Sequence, residues 1–384
     1  MVYGERKNQM KCMFKSVVLA ASLTLAAGVS ASELAADIQN SVKKNWSDIS
    51  ETCQDMMELV QEMPKLPDRT FIPFKTDKQD QRKKIRKVQL KIREILLSAD
   101  SQKIMQKVDR FNEQIAQRKE EVAKLTEELQ FYPENREKLE KQINEENDAV
   151  KKLTANRDAE IAKVQKELDS IGLHMQGSAG STLFSLVNRG ELIDNVIVAK
   201  SIYEIVNKLQ GAMRGGDVLS AKRYFGVYVA LTDVQILCYE QYLEKSQKGE
   251  WRQNLAQIEK DAQAAVASAR ECIGSGEYTP NQCEIFQKNI AVNNKMVYGV
   301  GAYRKLLDCH EKIIAKKLAD VNRMRKLAYN SYSTVAGAAS FAALLQSSQA
   351  EFSAVLELSL PELEGVDDGV LQEQLQVITN MLDK

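Results

Sequence analysis

A run of apolar residues at strict four-three spacing constrains the fold of this chain more than any other feature. Ile104, Val108, Phe111, Ile115, Val122, Leu125 and Leu129 keep that spacing, with Arg118 as one polar intruder. After Phe131-Tyr132-Pro133-Glu134-Asn135 the seam resumes at Leu139, Ile143, Val150 and Leu153, with Glu146 and Arg157 interposed. It then shifts by one residue to Ile161, Val164, Leu168 and Ile171. The flanking positions are dense in Glu, Lys, Gln and Asn. So narrow an apolar stripe is buried only by a partner helix, which predicts a coiled coil. Pro133 inside a helix costs about 3 kcal/mol. The expected structure is therefore an antiparallel hairpin turning at 131–135, with arms each on the order of 45 Å long at 1.5 Å per residue. One kinked helix crossing 133 is the competing arrangement.

The rest of the chain extends the helical reading. No proline lies between Pro133 and Pro280, and Ala, Leu, Glu, Lys and Gln are abundant there, which favours helices over strands and turns. Residues 32–63 carry a helical pattern through Leu34, Ile38, Val42, Trp46, Ile49, Cys53, Met56 and Val60. Pro64, Pro67 and Pro73 make 64–76 a connector. A long helix from Asp77 leads into the hairpin, which closes near 172. Beyond the break at Gln176–Ser181 the helices become more apolar. One runs through Leu192 and Leu209 to Gly215-Gly216, and the next starts after Asp217 and is apolar on nearly all sides. Such helices are central in a bundle. Further helices are expected over about 250–272 and 293–332. The expected fold is all-α and without a sheet: an elongated helical bundle (32–63 with 182–350) and a projecting antiparallel coiled-coil hairpin. An acidic tail, 351–384, follows.

The N-terminus has the layout of a secretory signal. Lys15 precedes an apolar core of about a dozen residues, and Val29-Ser30-Ala31 supplies small residues for cleavage before Ser32. That run is shorter than the roughly 20 residues needed to span a bilayer, so residues 1–31 are expected to be removed, with translation starting at Met1 or Met13. Export makes disulfides the default for the five cysteines that remain. Cys272 and Cys283 flank a turn-rich insert, where a bridge would clip a helical hairpin. Cys238 and Cys309 form a second candidate pair. Five is odd, which leaves Cys53 as the spare thiol.

Lys+Arg and Asp+Glu balance at 53 each, which argues against a globally basic nucleic-acid binder. Two local asymmetries remain. Lys75, Lys78, Arg82, Lys83, Lys84, Arg86, Lys87, Lys91 and Arg93 face only Asp77 and Asp80 within 75–93, a patch able to meet an anionic membrane surface. The tail 351–384 has eight acidic side chains against Lys384. No Gly-x-Ser-x-Gly elbow, phosphate loop or dinucleotide fingerprint occurs. His174 and His310 are the only histidines, too few to build a histidine metal site. His310 adjoins Cys309, but sequence neighbours on a helix point in different directions.

These features predict an exported, non-enzymatic structural or interaction protein of a bacterial envelope, periplasmic or secreted. It has no cofactor, and it reaches protein partners, or a second copy of itself, through the coiled-coil arm. Two alternatives come from other classes. One is an α-helical pore-forming toxin or toxin component, in which the apolar segment 335–345 would be a concealed membrane element. The other is an adaptor or minor pilus subunit of a secretion or conjugation machine.

Overall fold

The structure is a computed structural model and describes residues 33–69, 75–97, 100–177, 179–212, 218–334, 358–360 and 369–382. The expected signal peptide, the apolar segment 335–345 and part of the acidic tail lie outside these residues. The helices are α1 (Glu33–Lys44), α2 (Trp46–Glu62), α3 (Lys78–Leu97), α4 (Asp100–Phe131), α5 (Arg136–Ser170), α6 (Ala179–Leu183), α7 (Arg189–Ala212), α8 (Val218–Lys248), α9 (Glu250–Ser275), α10 (Pro280–Thr334) and α11 (Gly369–Leu382). The fold is all-α and elongated, as the periodicity predicts.

The body is built around α8, which packs against α2, α3, α7 and α10. Tyr224, Phe225, Val227, Tyr228, Val229, Ala230, Leu231 and Val234 on α8 are all buried. Its side chains therefore meet neighbours on every side, at about 2 kcal/mol of burial for each large one. Contacts from Asp233 to Arg325 (2.8 Å) and from Ser246 to Glu311 (2.6 Å) set α8 and α10 antiparallel. At Gly226 a side chain would meet the ring of Tyr332 at 3.3 Å, so glycine there lets the two helices close up.

Three features depart from the sequence reading. The basic helix α3 is not a lead-in to the hairpin: it packs on α2, α7 and α8 as part of the body, capped by Asp77, whose Oδ1 accepts from the Gln79 and Asp80 amides at 2.9 Å. Two three-residue strands, β1 (Leu173–Met175) and β2 (Leu358–Leu360), pair in parallel, where no sheet was expected. Strands so short carry no readable alternation, and they form because Leu173, Leu358 and Leu360 are buried in the main core. Finally, residues 369–382 of the acidic tail form α11. Its Leu371, Leu375, Ile378 and Leu382 join Leu186, Leu255, Val300, Tyr303, Leu306 and Leu307 in a second, smaller core.

Candidate functional site: two helical arms on a polar root

Where the hairpin is expected, α4 and α5 pack on each other. A short 3-10 turn at Pro133–Asn135 separates α4 from α5, and the two helices run back to back. Ile104, Val108, Ile115, Leu125, Leu139, Ile161, Val164 and Leu168 are buried in the seam. Phe111, Val122, Leu129, Ile143, Val150 and Leu153 are half-buried, as expected where only two helices meet. Two of the three polar residues in the seam meet each other: Arg118 Nη1 donates to both carboxylate oxygens of Glu146, at 2.8 and 2.9 Å, while Arg157 pairs with its neighbour Asp158 at 2.8 Å. Phe131 and Tyr132 at the tip are 72% and 54% exposed. At its base the arm joins the main core through Ile104, Val108, Ile161, Val164 and Leu168.

A second hairpin, α9 with α10, accompanies it. Gly276, with φ +71°, ends α9 in the left-handed conformation that glycine tolerates. Thr279 and Gln282 then form a reciprocal cap at the start of α10. The Thr279 amide donates to Gln282 Oε1 (2.9 Å), the Gln282 amide donates to Thr279 Oγ1 (3.4 Å), and Pro280 takes the first helical position. That Thr-Pro-Asn-Gln box is a sequence signal that starts α10 at 280, well before the expected 293. The seam on α9 is Leu255, Ala262, Val266 and Ala269. Tyr278 stacks edge-on with Phe286 at 5.0 Å, and Ile285, Val292 and Tyr298 on α10 are more than half exposed.

The two arms leave the body at the same end. Arg189 ties α4 down at Asp109 (3.0 Å), while the adjacent Asn188 touches His310 of α10 (3.2 Å). Farther out, Glu373 of α11 pairs with Lys119 (3.2 Å), while the adjacent Gln374 reaches Met296 (3.0 Å). Between these two levels α4 advances from 109 to 119 and α10 goes back from 310 to 296, each toward its own tip. Beyond the outer level α4 continues for about 18 Å and α10 for about 24 Å, at 1.5 Å per residue.

The root of the second arm is polar and closed. Asn188, fully buried, donates to the Tyr242 hydroxyl (2.6 Å) and to His310 Nδ1 (3.2 Å). Burial pushes His310 down to about 4, and a proton on Nδ1 would also oppose the Asn188 N–H. Tyr303 accepts from the Val187 amide (2.6 Å) and lies 2.8 Å from Thr379 Oγ1. Arg252 bridges Asp308 (2.7 Å) and Glu311 (2.6 Å). His310 is thus a buried ring on α10 that meets Asn188, the residue before α7, which in turn bonds Tyr242 of α8. His174 pairs instead with Asp169 at 2.5 Å on the surface.

The basic patch is divided. Arg93 is half-buried against Asp194 (2.8 Å), Lys78 pairs with Asp68 (2.7 Å), Lys83 with Asp80 (3.3 Å), and Lys84 reaches Thr76 (3.5 Å). Lys75, Arg82, Arg86, Lys87 and Lys91 are exposed and make no ion pair with a described residue.

The five cysteines from 53 onward are free thiols in the structure. Cys272 and Cys283 both border Tyr278. Cys283 Sγ lies 3.8 Å from its carbonyl oxygen, and a hydrogen bond with the Cys272 thiol pushes the Tyr278 hydroxyl up. The pairing of Cys238 with Cys309 is corrected by helix register. The contacts between α8 and α10 put Cys238 level with about residue 320, so Cys309 lies on the order of 16 Å along the helix. A disulfide needs Cα atoms within about 7 Å. Cys238 is buried beside Arg93, and desolvation, partly offset by that guanidinium, pushes its thiol up to about 12. Cys53 lies in the wall of a cavity of about 440 Å³ that also involves Gln54, Lys222, Arg223 and Tyr332. Burial holds its thiol at about 12, which makes it a poor nucleophile.

Among the described residues no cluster of His, Cys, Asp or Glu is arranged to hold a metal ion, and no helix is long and apolar enough to cross a membrane. Compared with known proteins, the chain matches no protein family, no curated protein and no solved structure.

Proposed function

We propose that this protein is an exported, non-catalytic scaffold of a bacterial envelope, periplasmic or secreted, which grips a protein partner between or across its two helical arms. One observation carries the reading: two hairpins extend from the same end of the body, and both have exposed aromatic residues at their tips. Aromatic side chains are enriched at protein interfaces because they bury a large area at low entropic cost. The α4–α5 hairpin acts as a coiled-coil spacer that sets the reach of its tip. The five exposed cations near and along α3, none ion-paired with a described residue, offer the body an attachment to anionic lipid, each worth about 1 kcal/mol near such a surface. In the oxidising compartment a Cys272–Cys283 disulfide clips the second tip. Both thiols already border Tyr278, and closing so short a loop contributes roughly 2–3 kcal/mol.

The test is affinity purification of the full chain from a native envelope extract, beside a Phe131→Ser/Tyr132→Ser/Tyr278→Ser variant. The expected result is a partner captured by the native chain and lost with the variant, at unchanged thermal stability. Equal capture by both would remove the tips from the function. Leakage of dye from anionic liposomes on adding the native chain would favour the pore-forming alternative instead. Peptide mapping without reductant that finds Cys272 and Cys283 both free in exported material would reject the clip.

A further inference from the structure

A cavity of about 310 Å³ opens where α1 gives way to α2, opposite the C-terminal part of α7. Val42 and Trp46, four residues apart across the α1–α2 junction, form one wall. Ile205 and Leu209, four apart on one face of α7, form the other, and Lys43 and Lys208 complete the lining. The walls are hydrocarbon and indole, while both lysines are exposed. Neither lysine makes an ion pair with a described residue. Lys200, two turns before Lys208 on the same helix, is by contrast paired with Glu204 at 3.1 Å. Long lysine side chains lay their stems along apolar surface and keep the ammonium in water. The arrangement is therefore an apolar chamber with two uncommitted positive charges around it.

We infer that this cavity binds a free fatty acid, a single alkyl chain with a carboxylate head. The chain lies between Trp46 and Leu209, and the carboxylate is held by Lys43 and Lys208. The chemistry of the lining selects each part of that ligand. Apolar walls reward a hydrocarbon tail, and two ammonium groups reward one compact anion through charge-assisted hydrogen bonds. The volume is at the lower end of small-ligand pockets, roughly 300–1,000 Å³, which suits one chain and not the two of a phospholipid. This site is independent of the arms and of their partner.

Trp46 supplies the readout, because the chain has only two tryptophans, Trp46 and Trp251. In a full-length Trp251→Phe protein, sodium laurate added below its micelle concentration is expected to shift Trp46 emission saturably, with one ligand per chain. Dodecanol, with the same tail and no charge, is expected to bind about tenfold more weakly or worse, the difference a charge-assisted contact makes. Adding Lys43→Ala and Lys208→Ala should bring laurate down to the level of dodecanol. Leu209→Phe, which fills the chamber, should abolish both. The comparison of laurate with dodecanol needs no cavity variant, so it decides even if those variants misfold. No saturable shift with laurate, equal affinity for laurate and dodecanol, or a response confined to phosphatidylglycerol vesicles would each overturn the inference.

Discussion

The α4–α5 arm and the α9–α10 arm leave the same end of the body, yet their seams are built from different residues. The first buries Ile, Val and Leu at heptad spacing and closes a polar layer with the Arg118–Glu146 pair. The second meets α10 through Leu255, Ala262, Val266 and Ala269. Alanine lets helices approach closely but removes little area from water, at about 0.8 kcal/mol per buried methylene-sized group. The second arm therefore draws its stability from its root, where Tyr303, Val300 and Leu307 pack with α11. The first arm carries much of its own stability along its length. An arm with a strong seam can be long and thin, whereas one with a weak seam has to grow out of a helix that the body already holds, here the 55-residue α10.

The sharpest way to break this comparison is at the root of the second arm. Tyr303→Ala removes a fully buried ring and leaves the Val187 amide without its acceptor. It should cost about 4 kcal/mol or more in urea denaturation. Val150→Ala, half-buried in the first arm, should cost only about 1 kcal/mol. Similar costs at the two positions would mean that the arms are equally self-supporting.

Acid tests the same root more gently. His310 takes a proton at about 6.5 in the unfolded chain and only at about 4 when buried. Between those values the unfolded state binds more protons, so stability is full above about pH 6.5 and falls as the pH drops toward 4. The total loss is on the order of 3 kcal/mol, and this group adds no further loss below that window. His310→Gln should flatten that part of the profile in thermal melts from pH 7 to pH 4. An unchanged slope would place the acid sensitivity elsewhere.

The smallest effect is expected in the first arm. Arg118→Leu with Glu146→Leu replaces a half-exposed ion pair by the apolar seam that surrounds it. Such pairs contribute about 0–1 kcal/mol, and an apolar replacement is often as good or better. The double variant should be more stable by about 1 kcal/mol, while either single change should be neutral or destabilising. A large loss in the double variant would show that the polar layer sets the register of the hairpin. Cysteines placed in the seam check that register directly. Because Arg118 faces Glu146, residue 139 sits level with 125 and not with 129. In the hairpin, cysteines at Leu125 and Leu139 are therefore expected to crosslink within one chain and a Leu129–Leu139 pair is not, whereas a continuous helix would hold 125 and 139 about 21 Å apart.

How much of this was legible depends on how each element is held. The first arm is written in the chain: a heptad seam, a proline at the turn and charged flanks describe a two-helix structure through neighbours close in sequence. The buried α8 was legible too, since only a central helix is apolar on all sides. The second arm was half hidden, because an alanine seam has little amphipathic contrast. Its Thr279–Gln282 box and Gly276 were nevertheless there to be read. For the fatty-acid cavity no sequence signal existed, because Val42 and Trp46 meet Ile205 and Leu209 only in the folded chain.

By itself, then, the sequence determined the helices, the first hairpin and the central position of α8. All of these follow from local periodicity and from where prolines and caps interrupt it. Only the tertiary structure decided that the basic α3 belongs to the body and that the acidic C-terminal stretch ends in a packed helix. It alone set the arms on one end, paired Arg118 with Glu146, and held Cys238 away from Cys309. Each of these is a matter of helix register and of contacts between residues far apart in sequence, where the burial of whole faces, summed over many side chains, outweighs any local preference.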